Sequence, residues 1–302
     1  MADISRTEVA TLIQEAYAND LLSAAKEGST VLQAFPTVSM GSKTTHMPVL
    51  ATLPNAGWVS ESATDPEGVK PTSEATWADR TLVAEEVAVI IPVHENVVDD
   101  ASTGLLEEIA ALGGQAIGKK LDQAVIFGTD KPASWVSPAL LSAAVAANQD
   151  FAVVSGDANE DDLVGGINKA SKAVAHAGYS PDTLLAGLGF RFDVANLRDA
   201  NGNPIFRDES FNGFRTFFNK NGAWPLGVAE ALVVDSSRVR IGVRQDITVK
   251  FLDQATVGSI NLAERDMVAL RLKARFAYVL GNGATAAGAS KTPVGAVVPD
   301  GS

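Results

Sequence analysis

Between Met267 and Leu280 the chain obeys a period of two without a miss. Val268, Leu270, Leu272, Ala274, Phe276, Tyr278 and Leu280 share one side, while Arg271, Lys273 and Arg275 share the other. Successive side chains of a strand point to opposite faces, so this spacing predicts one long strand with a buried face and a face carrying three positive charges. The charged face is expected to be an interface or a wet surface.

A second run of strand character covers residues 76–92, where Val83, Val87, Val89, Ile91 and Val93 alternate with Leu82, Ala84, Glu86, Ala88 and Ile90. At about 3.3 Å per residue it could span roughly 55 Å, well beyond an ordinary strand. Two readings are open. The run is an extended hairpin arm that needs another surface to lie on, such as a neighbouring subunit, because an isolated hairpin is marginal in water; or it is a long edge strand within one ordinary sheet.

Helical periodicity falls in three places. Ser5 and Glu8 have capping-box spacing, and Val9, Leu12, Ile13, Ala16, Leu21, Leu22 and Ala25 follow at helical intervals until Gly28. The longest stripe is Leu105, Leu106, Ile109, Leu112, Ala116, Ile117, Leu121, Ala124 and Val125, with Asp99, Asp100 or Ser102 as cap and Gly128 as stop. Glu107 and Glu108 near its start and Lys119 and Lys120 near its end suit the helix dipole. A third helix is predicted over 160–177, capped by Asn159, with Leu163, Ile167, Ala170 and Val174 facing inward.

The remaining segments read as follows. Residues 30–53 break into short β-rich pieces punctuated by Pro36, Gly41 and Pro48, which suits an arm laid along a surface. From Ser180 the chain looks like a separate α+β unit: an apolar piece at 184–188, a helix over 190–199 ended by Asn201-Gly202, and short strands at 231–235, 239–243 and 247–252. Beyond Gly281 it is mostly Gly, Ala, Pro, Ser and Val, a tail with little to pack and expected to be mobile unless a partner holds it.

Composition narrows the function. A chain of 302 residues, 46% hydrophobic, is long enough for one or two cores. Acidic residues outnumber basic ones by 36 to 24, a net charge of -12, so the chain as a whole repels polyphosphate, which argues against a direct reader of nucleic acid. Without cysteine there are no disulfides, thiolate metal sites or thiol nucleophiles, and a reducing cytoplasm fits. No leader pattern and no run of about 18 apolar residues occurs, so neither secretion nor membrane insertion has a signal.

The motifs that resemble chemistry do not hold together. His46, His94 and His176 lie far apart with no acid or histidine at ligand spacing. Ser23 and Lys26 form a Ser-x-x-Lys match without its companion motifs, and Gly283 and Gly288 have phosphate-loop spacing but are followed by Ala289-Ser290-Lys291 in place of Lys-Ser/Thr. The pairs Glu85-Glu86, Asp99-Asp100 and Asp161-Asp162 point to opposite faces of a strand or cap a helix. No catalytic, cofactor-binding or metal-ligating residue is singled out, and no cofactor is expected.

The order of parts resembles the coat fold of tailed double-stranded DNA bacteriophages. Leu121-Asp122-Gln123-Ala124-Val125-Ile126-Phe127-Gly128-Thr129 is similar to the end of that family's spine helix, residues 197–206 to its second-domain helix and turn, and residues 266–276 to its closing strand. The resemblance implies an α+β phage major capsid fold with an N-terminal helix and arm (1–53), an extended β-hairpin loop (54–94), a peripheral domain with the spine helix (95–178, completed by 261–280), an axial domain (179–260) and a flexible C-terminal tail (281–302). It implies a structural protein and not an enzyme: a major capsid protein assembling with itself as pentamers and hexamers into an icosahedral shell. That shell encloses DNA without sequence-specific binding, and the virion is built in the host bacterial cytoplasm.

A separate scaffolding protein, a portal and a decoration protein are the further partners implied; a membrane is not. Some members cross-link subunits through a loop lysine and a distant asparagine. Lys70 and Asn282 lie in matching regions here, but no glutamate can be matched to the catalytic position. The alternatives are an encapsulin-type compartment shell, which has the same fold, and a hydrolase on an α+β scaffold.

Overall fold

The computed structural model describes residues 28–54, 56, 58–59, 72–96, 105–153, 163–197, 213–283, 285 and 291–299. A short helix, α1 (Thr30–Ala34), leads into strands β1 (Thr37–Ser39) and β2 (Thr44–Thr52). β3 (Thr76–Val83) and β4 (Glu85–His94) precede the long helix α2 (Leu105–Asp122). One π-helical turn, Gln123–Phe127, extends α2 to Gly128, whose φ of 77° takes the left-handed conformation that glycine adopts without penalty. The predicted stop is where the helix ends; the predicted caps and the N-terminal helix lie outside the described residues.

Next come α3 (Leu140–Ala146), β5 (Asp150–Val153), α4 (Leu163–His176), β6 (Thr183–Gly187) and α5 (Phe190–Ala195). β7 (Arg215–Asn219), β8 (Ala231–Val234), β9 (Val239–Leu252), β10 (Thr256–Val257) and β11 (Ile260–Asn261) follow, then β12 (Met267–Leu280) and β13 (Val294–Pro299). Two sheets carry the fold: a four-stranded one in the order β1-β9-β12-β4 and a five-stranded one in the order β5-β13-β8-β6-β7. Among the described residues β2 and β3 pair only with each other, antiparallel.

β12 has the predicted bounds, and its apolar side, Leu270 through Leu280, packs against α2 in the largest core with Ile117, Leu121 and Val125. Tyr278 is fully buried there and donates a hydrogen bond to the Pro138 carbonyl at 3.0 Å. The other side is only partly the wet surface expected. Arg271, Lys273 and Arg275 are partly exposed, but Ala277 and Val279 are buried against Met40, Leu82 and Ala84 in a separate small core. The inward residues of α4 are those predicted, Leu163, Ile167, Ala170 and Val174.

Four sequence expectations need correction. The long run over 76–92 divides between the two readings: its first half, β3, pairs with β2 as a hairpin, its second half, β4, is the edge strand of the four-stranded sheet, and the two join at Ala84. The Ala84 amide donates to the Lys43 carbonyl (2.8 Å) and the Trp135 indole donates to the Val83 carbonyl (3.0 Å), so the chain leaves β2 and joins β12 without a turn. Inward residues change parity there, from Leu82 and Ala84 to Val87, Val89 and Ile91. Within the short β-rich pieces expected over 30–53, residues 44–52 are instead one nine-residue strand, in which Pro48 pairs with Asp79 in a ribbon that among the described residues has two strands. The two strands expected at 239–243 and 247–252 are one, with register shifts where β12 pairs it between Lys273 and Phe276.

The fourth concerns the tail. Val294, Ala296 and Val297 are fully buried, and β13 lies between β5, parallel, and β8, antiparallel. A strand buried on both faces reads as an unbroken apolar run instead of an alternation, so its residues look like low-complexity tail.

Candidate assembly surfaces

The β2–β3 hairpin has two unlike faces. Met47 pairs with Arg80 and Val49 with Ala78 on the side turned to the body of the subunit, where Val49 and Leu82 are buried. On the outward side His46 lies opposite Thr81, Pro48 opposite Asp79 and Leu50 opposite Trp77. The His46 imidazole hydrogen-bonds the Asp79 carboxyl across this face.

Trp77 is 68% exposed, and Leu53 and Trp58 beyond the end of β2 are also exposed. Covering an indole that far open stabilises a contact by about 3 kcal/mol at the usual return for apolar area. A monomer leaves that stabilisation unused, which makes the outward hairpin face a candidate contact surface.

The outer face of the four-stranded sheet is charged. Glu86 of β4 is in register with Arg275 of β12 and accepts from its Nε (3.2 Å) and Nη2 (3.1 Å); Lys273 Nζ is 3.6 Å away. Arg271 pairs with Lys250 of β9 one step further on, so among the described residues four cations gather on this surface, two of them reaching Glu86. The hydrogen bond from Arg275 above all, joined by the charges of Lys273 and Arg275, holds the Glu86 carboxyl below its ordinary value of 4.5 against the opposing effect of desolvation.

A carboxyl titrating lower in the folded state stabilises fully above its unfolded value and loses that contribution as pH falls through the folded one. Glu86→Gln should therefore lower the melting temperature at about pH 7, and the gap to wild type should close as pH falls below the ordinary value of 4.5 and through the lower folded one. A gap independent of pH would mean that the glutamine changes packing and not charge.

Asp122, at the last position of α2, is fully buried. Its Oδ1 accepts from Ser29 Oγ (2.7 Å) and the Val31 amide (3.1 Å); its Oδ2 accepts from the Thr30 amide (2.9 Å), Asn219 Nδ2 (3.0 Å) and Asn221 Nδ2 (2.8 Å). One carboxyl thus ties the entry of α1, the end of α2 and the turn after β7. Burial pushes its pKa above the ordinary carboxylate range, and these donors work against that shift. The sequence reading does not single out Asp122. Its signal is local conflict, an acid set between Leu121 and Ala124 on the apolar stripe of the helix.

The motif residues stay apart. His94 ends β4 opposite Met267, and His176 ends α4. Glu85 and Glu86 point to opposite sides as expected, one to Ser134 and one to Arg275. The Asn282 side chain accepts from Arg80 Nη2 at 3.0 Å, and the Gly283 carbonyl accepts from the Tyr179 hydroxyl. Lys70, Ser23, Lys26, Gly288 and the pairs at 99–100 and 161–162 lie outside the described residues.

Among the described residues no three acids or histidines gather as metal ligands. A cleft of about 140 Å³ between α2 and β4, lined by Val87, Leu121, Trp135 and Phe276, is small beside the roughly 300 Å³ that ligand pockets begin at.

The chain's similarities agree with this emphasis on surfaces. A family described as the phage capsid family matches residues 10–286. The major capsid protein of Staphylococcus phage 80alpha is 25% identical over 275 residues, covering 86% of this chain and 79% of that protein. A solved structure from Mycobacterium phage Bobi is 90% identical, covers all of both chains and superposes with a TM-score of 0.85. One from Mycobacterium phage Adephagia is 70% identical, with 100% and 99% of the two chains covered and the same TM-score.

Proposed function

This chain belongs to the phage capsid family, and from that premise we propose that it packs with itself as pentamers and hexamers to close the icosahedral shell of a tailed phage. It is a major capsid protein with the α+β phage capsid fold, a component of the virion. Its work lies in contacts between subunits and not in catalysis. The observation that carries this reading is the hairpin, which seals one face on its own subunit and leaves Trp77 on the other face largely exposed.

The finer organisation belongs to the same proposal. α2 with β4 and β12 forms the peripheral part, the five-stranded sheet centres the axial part, and the hairpin reaches a neighbour. Assembly takes place in the bacterial cytoplasm with a separate scaffolding protein, a portal and a decoration protein as partners. The net charge of -12 suits a wall that must not grip the DNA entering it.

Electron microscopy with light scattering tests this on the chain expressed alone and with the candidate scaffold. Closed shells, tubes or rings of five and six subunits are expected. Trp77→Asp should melt within about 2 °C of wild type, because the side chain is exposed, yet form no shells. Dispersed wild-type monomers under both conditions would overturn the assembly reading, and wild-type shells from Trp77→Asp would remove the hairpin face from it.

A further inference from the structure

The inward face of the hairpin rests on a segment with almost no side chains. After β12 the chain passes through Gly281, Asn282 and Gly283. A Cβ on Gly283 would stand 2.9 Å from Val49 Cγ1 and 3.1 Å from the Leu50 carbonyl oxygen; one on Gly281 would stand 3.5 Å from Met47 Cε and 3.1 Å from the Arg238 carbonyl oxygen. The obstruction at 283 cannot yield easily, since one neighbour is backbone and the other is β-branched valine with little χ1 freedom.

The segment is itself braced. The Gly281 amide donates to the Arg238 carbonyl at 2.7 Å, and the Tyr179 hydroxyl donates to the Gly283 carbonyl at 2.9 Å. Across the contact, Arg80 Nη2 of β3 donates to Asn282 Oδ1 at 3.0 Å. At its other end the hairpin is pinned where Ala84 changes sheets. A ribbon held at its root and pressed on a rigid seat has one direction relative to the sheet.

Resting on the assembly reading above, we propose that Gly281, Asn282 and Gly283 with Arg80 form a seat that sets the angle of the hairpin before subunits meet, making them positioning residues for assembly. A seated hairpin offers Trp77 to a neighbour in one orientation. A lifted one offers the same residue at varying angles, so few encounters are productive and shell curvature is no longer specified.

The chain has no cysteine, so an engineered pair would be its only thiols. In Val49→Cys/Gly283→Cys, the sulfur at 49 falls near the place of Val49 Cγ1, 2.9 Å from the position of the new Cβ, which suits a disulfide. The bond should form readily in the unassembled subunit. The oxidised protein should assemble with wild-type yield and diameter. Reduced, its added Cβ lifts the hairpin, and shell yield should fall roughly tenfold or more while the subunit stays folded by circular dichroism.

Gly283→Val should behave like the reduced pair, and Gly283→Ala should lie between it and wild type. Failure of the disulfide to form in the subunit would overturn the seat, whether or not wild type assembles. So would wild-type shells from Gly283→Val, or assembly by the reduced pair and not the oxidised one. Failure of wild type alone, with the disulfide forming, would instead count against the assembly reading and leave the seat in place.

Discussion

Ending the chain at Ser290 is expected to leave no folded protein, although the segment removed has the composition of a disposable tail. The deletion takes out β13, the strand between β5 and β8, and so opens two edges inside the five-stranded sheet. Val294 and Val297 are both fully buried. At about 1.5–3 kcal/mol for each buried valine, with ladder hydrogen bonds of roughly 1 kcal/mol each in addition, the loss matches the 5–15 kcal/mol by which a whole domain is stable.

Gln149 depends on the same segment. Its Nε2 donates to the Thr292 and Val294 carbonyls, each at 3.1 Å, and its Oε1 accepts from the Thr292 amide at 3.0 Å. Without these partners it is a buried amide with no bonds. The measurement is soluble yield and far-ultraviolet circular dichroism of the truncated chain. Val297→Ala is the graded version, costing about 2 kcal/mol. A soluble truncated protein with a cooperative melt would mean that the sheet closes without its middle strand.

Asp122→Ala is expected to have the largest effect of any single substitution. It strips the acceptor from donors on Ser29, Thr30, Val31, Asn219 and Asn221, in a place water does not reach. Leaving buried donors unpaired costs about 1–3 kcal/mol each, so even with local relaxation the total should reach about 4 kcal/mol. At about 2–4 °C per kcal/mol for a large domain, the melting temperature should fall by roughly 8–16 °C.

Asp122→Asn separates bonding from volume. It keeps one acceptor oxygen and turns an NH₂ toward groups that also donate, so its loss should fall between wild type and alanine. A drop within about 2 °C for Asp122→Ala would mean that the donors find other partners and that the network does not hold these segments together.

The elements that were legible before the structure share a property. β12, α2 and α4 each bury one face, and a one-sided environment writes a period of two or 3.6 into the sequence that needs no knowledge of the partner. Gly128 was legible for a similar reason, because its left-handed φ is a local demand. The candidate surface was legible in outline: a hairpin near residue 76 could be read, but the outward set of His46, Pro48, Leu50 and Trp77 exists only once β2 is known to pair with β3.

What could not be read depended on residues distant in the chain. Periods of two continue through Ala84 whichever sheet receives the strand, so the change of partner leaves no mark beyond a shift of parity. β13 is apolar on both faces because it lies mid-sheet, and nothing within 294–299 tells that from a tail. Asp122 is an isolated acid until donors 91 to 99 residues away in sequence surround it. The sequence by itself therefore determined which residues face inward along each long element, since that depends on backbone geometry and hydrophobicity alone. Only the tertiary structure decided which strand completes which sheet, where the hairpin rests and what satisfies the buried carboxyl, because these are choices among partners that no local pattern encodes.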